Sequence, residues 1–170
     1  MRSNFRLHSI VKSLVFISIV ALAIFAFPTT NTGARSSGSP AGFTNAPDEN
    51  NCAACHSDFS LDSGPGSLRV FGVPANYTPG QMVPINVQIR QGSALIVGFQ
   101  LTSIWDSGPN AGTRAGTYTV TDAIQTQMIE NQDHTRDYME QTLAGTTPTG
   151  AQEKTWAFMW RAPATREGRI

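Results

Sequence analysis

Residues 82–90, MVPINVQIR, alternate strictly: Val83, Ile85, Val87 and Ile89 are separated by Pro84, Asn86, Gln88 and Arg90. A period of two puts the four aliphatic side chains on one face of an extended chain, whereas a helix would scatter them around its circumference. The pattern recurs on both sides. In ALIVGFQLT (94–102), Leu95, Val97, Phe99 and Leu101 share a face, and in KTWAFMWR (154–161) Trp156, Phe158 and Trp160 do. LRVFGV (68–73) and GTYTVT (116–121) are shorter runs of the same kind. PGQ (79–81), QGS (91–93) and SGPNAG (107–112) supply the turns between them. Short strands with turns about every ten residues predict an all-β fold, an immunoglobulin-like antiparallel sandwich. Pro84 has no N–H to give to a ladder, so it predicts an edge position or a bulge. The Trp156, Phe158, Trp160 stripe reads as core rather than as the wall of a cofactor pocket.

Residues 121–150 are less regular, with a hint of helical period only between Asp122 and Asn131. REGRI (166–170) reads as the beginning of another strand. The sandwich is therefore expected to lack its last strand and to present an open edge, filled by more chain or by a partner.

Composition narrows the function. Charged residues are 14% of the chain and formal charge is zero, so no basic field exists to hold nucleic acid. The N-terminus carries Arg2, Arg6 and Lys12 without an acid, then the apolar run Leu14–Phe27 and Pro28. This order predicts a signal peptide or N-terminal anchor over 1–27 and places the remainder outside the cytoplasm. The apolar run is shorter than the ~20 residues of a comfortable membrane span. Residues 28–51 are rich in Gly, Ser and Pro and predict an extended lead-in; the sandwich domain, with the motif at its start, is expected over 52–170.

Both cysteines stand in CAACH, Cys52 and Cys55, with His56 directly after. An exported cysteine pair can form a disulfide, bind a metal or hold a cofactor. A disulfide closing so short a loop removes little chain entropy. Zinc asks for about four ligands and only three stand here. C-x-x-C-H fits a third chemistry: two thiols bonded to one haem, with the adjacent histidine as proximal iron ligand. One covalent c-type haem on Cys52, Cys55 and His56 is thus expected, carried by an irregular segment ahead of the sandwich. His134 and Met139 are candidates for the sixth ligand; the bland reading of His134 is a solvated loop residue. No Ser-His-Asp set, paired carboxylates or phosphate loop suggests an enzyme.

SPAGFTNAPDENNCAACH (39–56) and WAFMWRAP (156–163) together resemble the bacterial choice-of-anchor V domain, a reeler-like sandwich bearing C-x-x-C-H. The resemblance rests on Ser39, Pro40, Gly42, Thr44, Ala46, Pro47, Glu49, Cys52, Cys55 and His56, and on Trp156, Phe158, Trp160, Ala162 and Pro163. Asn45 and Asp48 stand where that pattern has glycine. The resemblance implies a histidine in a Y-x-x-H-T context ahead of the Trp strand; here Tyr138 and Thr142 flank Gln141 instead. It also implies a further strand past Ile170.

Taken together, these readings predict an exported bacterial protein, periplasmic or at the cell surface, that carries haem for electron transfer to an unidentified redox partner. Association with the cell surface or membrane would run through the N-terminus or a missing C-terminal anchor. The rival expectation is an adhesion or interaction sandwich in which CAACH is structural.

Overall fold

The structure, a computed structural model, describes residues 35–170; the expected export segment over 1–27 lies outside them. Seven strands follow in order: β1 (Ser67–Phe71), β2 (Met82–Arg90), β3 (Gln100–Leu101), β4 (Thr117–Val120), β5 (Thr126–Glu130), β6 (Asp137–Gln141) and β7 (Glu153–Arg161). They form a four-stranded sheet, β1-β2-β7-β4, and a three-stranded sheet, β3-β6-β5. Every pairing is antiparallel. The protein is an antiparallel β-sandwich, as the period-two runs predict.

The alternating residues of β2 and β7 build the core. Val83, Ile85 and Val87 are buried beside Trp156, Phe158 and Trp160, which lie opposite them in register. Phe99 closes on this layer from the second sheet, 4.7 Å from Trp156 and 6.2 Å from Phe158 between ring centroids. Each large side chain moved from water is worth roughly 1.5–3 kcal/mol. The indole N–H groups are satisfied as well: Trp156 donates to the Gly145 carbonyl (2.9 Å) and Trp160 to that of Ala115 (3.0 Å). The aromatic stripe is therefore core, as expected.

Three local expectations change. Residues 121–150 hold no helix; they form the β5–β6 hairpin, whose pairing runs from Thr126↔Gln141 to Glu130↔Asp137. The nine-residue strand expected over 94–102 shrinks to Gln100–Leu101. One side of that run bonds to Thr146 O and to the Gln141 side chain rather than to a continuous ladder. Pro84 lies in an inner strand, yet beyond the end of β1, whose pairing with β2 stops at Phe71↔Asn86. The β1–β2 ladder has ended before Pro84 is reached, so the missing N–H breaks none of its bonds.

Candidate functional site

The CAACH turn ends a segment that forms no strand but lies along the outer face of the β3-β6-β5 sheet. In β6, Met139 faces the core, and Tyr138 and Glu140 face the other way. Those two outward side chains are nonetheless 1% exposed, because residues 37–50 cover them. A polar clamp at each end holds this segment.

Glu140 anchors the first clamp. Its carboxylate accepts hydrogen bonds from Gln127 (2.7 Å) and Gln100 (3.1 Å). The same amides reach the segment, Gln127 donating to Ser37 O (2.8 Å) and Gln100 to Ser39 Oγ (2.8 Å), while Gln100 Oε1 accepts from Phe43 N–H (2.8 Å). Gly38 passes directly over the carboxylate with φ 108°, and a Cβ there would lie 2.2 Å from Glu140 Oε1. Only glycine permits both that backbone conformation and that approach. Burial pushes the Glu140 carboxyl above its ordinary value, against the hydrogen bonds from Gln127, Gln100 and the Ser39 backbone.

Glu49 anchors the second clamp. It accepts from Arg136 (2.6 Å), Tyr138 OH (2.7 Å) and the Thr44 hydroxyl. Arg136 also donates to Pro47 O (2.9 Å) and Gly112 O (2.6 Å). Burial alone would raise the Glu49 carboxyl, but the hydrogen bonds from Thr44, Tyr138 and Arg136 outweigh it and hold the group below its ordinary value. Between the clamps the chain closes on itself through Asn45 N–H to Asn50 O and Asn50 N–H to Gly42 O. Asn45 and Asp48 both take left-handed φ, 63° and 65°. Asn and Asp are the side chains that best tolerate that conformation.

Asn51 then caps the motif, its side-chain oxygen accepting from Ala53 N–H at 2.9 Å. Cys52–Ala54 form a 3-10 turn, and the amides of Cys55 and His56 both bond to the Cys52 carbonyl, at 3.2 and 2.9 Å. Cys52 and Cys55 stand one 3-10 turn apart, and His56 follows directly. Both thiols are free, and all three side chains are exposed. The turn and its two clamps were not visible in the sequence.

The sixth-ligand candidates fare differently. Met139 is 0% exposed and packed within the core cluster, so its sulfur faces the sandwich interior rather than the side on which the CAACH segment runs. That placement corrects the expectation for Met139. Gln141, which replaces the implied histidine, also faces inward and accepts from Phe99 N–H at 2.7 Å. His134 is exposed on the β5–β6 loop, with φ 54° and its ring bonded to Glu130. Asn131, Asp133, Thr135 and Arg136 of that loop border a polar cleft of about 420 Å³, with Asp48, Glu49 and Asn50 on its other wall. The loop carrying His134 and the run leading to Cys52 thus flank one cleft. Among the described residues, no three Cys, His, Asp or Glu side chains converge as ligands for a bare metal ion.

Over part of its length the chain is similar to two solved structures of the human F-spondin reeler domain. One has a TM-score of 0.41 and 22% identity, over 58% of this chain and 63% of that one. The other has a TM-score of 0.38 and 20% identity, over 65% of this chain and 74% of that one. No family model matches the sequence, and no curated protein does.

Proposed function

We propose that Cys52, Cys55 and His56 hold one covalent c-type haem and that the sandwich is an exported module for electron transfer with a redox partner. The observation that carries this reading is the exposed turn itself, with two free thiols three residues apart and an exposed imidazole directly after the second. The two thiols would hold the haem through thioether links formed by addition to its vinyl groups, which needs no oxidant, and His56 would hold the iron. The group would supply one-electron transfer at a potential set by axial ligand and burial. The clamps at Glu140 and Glu49 position the turn against a rigid sheet. The left-handed Asn45 and Asp48 support the finer kinship with choice-of-anchor V domains, because they meet the same backbone demand as glycine.

A purely structural role for CAACH is disfavoured, since neither thiol is buried or paired. Expression of the whole chain in a host that attaches haem c, followed by mass measurement of the denatured protein, tests the reading. The mass gain of one haem is expected, and it should vanish in Cys52→Ala with Cys55→Ala. A wild-type chain without added mass would refute it.

A further inference from the structure

Residues 57–66, SDFSLDSGPG, follow CAACH directly and are Ser, Asp, Gly and Pro apart from Phe59 and Leu61. They form no strand or helix. Both ends of the segment are fixed. Asn51 caps the turn ahead of it through Ala53 N–H, and Ser67 pairs with Arg90 where β1 begins. Between those points, among the described residues, 57–65 hydrogen-bond only to one another, Ser63 N–H and Ser63 Oγ both donating to Ser60 O at 3.3 and 2.7 Å. The two apolar side chains meanwhile face water, Phe59 at 80% and Leu61 at 51% exposed. Turn-forming residues suffice to build such a loop, and water opposes the exposure of these two. They call for an apolar surface close by.

Their position supplies one. Phe59 stands three residues after His56 and four after Cys55. At no more than about 3.6 Å per residue, its Cα lies within about 11 Å of that of His56. Phe59 and Leu61 are two residues apart, so an extended stretch turns both to one side. A flat apolar porphyrin bonded at Cys52 and Cys55 is within reach of both.

We propose that Phe59 and Leu61 are haem-contact residues, and that residues 57–65 close over the porphyrin once the thiols are bonded. The inference rests on the haem reading of CAACH and deepens it. The clamps at Glu140 and Glu49 hold the turn from the N-terminal side, and this strap covers what the turn holds. The cover has a redox consequence. Water favours the more highly charged ferric state, so excluding it with Phe59 and Leu61 raises the potential.

The test compares three whole chains made in a host that attaches haem c: the unaltered chain, Cys52→Ala with Cys55→Ala, and Phe59→Ser with Leu61→Ser. Both replaced pairs are exposed, so the sandwich tolerates them. Mass after denaturation reports the covalent group, and amide exchange reports the strap. In the unaltered chain the mass gain should come with exchange over 57–64 slowed about tenfold or more relative to the chain without thiols. The Phe59, Leu61 variant should keep the mass gain, because thioether links rather than these contacts retain the group, yet lose the protection and reduce at a lower potential. A mass gain without protection overturns this inference alone. So does protection or a potential unchanged in the Phe59, Leu61 variant, or protection already present in the chain without thiols, which would mean that another part of the chain covers the strap. An unaltered chain with no mass gain overturns the haem reading as well.

Discussion

Glycine 38 and the two left-handed residues beyond it decide whether CAACH is held or free. Gly38→Ala would drive a methyl group into the Glu140 carboxylate and is expected to destabilise the segment by more than the ~1 kcal/mol of an ordinary glycine replacement. Exchange of the amides over 37–51 should rise while the β2 and β7 amides stay protected; unchanged exchange over 37–51 would show that the clamp does not need this contact. Asp48→Gly should be neutral or slightly stabilising, whereas Asp48→Val should cost about 1–2 kcal/mol, because a β-branched residue resists φ 65°. A melting series over the pair settles it, and equal melting temperatures would contradict the assigned role. Cys52, Cys55 and His56 are proposed from the sequence alone, on their spacing; what the structure adds is that all three are exposed. Met139 misled because a methionine inside DYMEQ looks the same on either face of a strand; only register assigns it to the core.

At the scale of elements, the clamped segment responds to acid with a definite sign. The folded Glu49 carboxyl is held below its ordinary value by Thr44, Tyr138 and Arg136 acting against burial. Its stabilisation is complete above the ordinary carboxylate value and is lost as pH falls through the lowered folded value. Glu140 is raised by burial, so its sign is opposite: protonation relieves a buried charge. Acidification should therefore loosen residues 42–50 before residues 37–40. Amide exchange across a pH series checks this, and simultaneous release of both ends would contradict it. Neither clamp was legible in the sequence. The signal lay in DYMEQ, five consecutive buried residues without alternation, which marks a strand covered on both faces. The β5–β6 hairpin was missed for the same reason, since its polar outward residues bond to the segment rather than to water. MVPINVQIR and KTWAFMWR, each buried on one face, were read correctly.

The molecule divides its labour: a core that stabilises, a polar face that positions, and an exposed turn on which the proposed haem would be held. Trp156→Ala, at 1% exposure and with its N–H bonded to Gly145 O, should cost about 3–5 kcal/mol. Denaturant unfolding measures it, and a loss well under that range would mean that the core relaxes around the site. Cys52→Ala with Cys55→Ala lies outside the core and should leave the unfolding transition of the haem-free protein unchanged. The expected strand at ALIVGFQLT stayed short because Val97 and Phe99 give their amides to Thr146 O and the Gln141 side chain rather than to a continuous ladder. The central claim is covalent haem at CAACH, and the most direct measurement is the visible spectrum of the whole chain, made in a host that attaches haem c, before and after denaturation. A sharp c-type band on reduction, with colour that stays on the denatured chain, is predicted. A folded, colourless protein with two titratable thiols would contradict it.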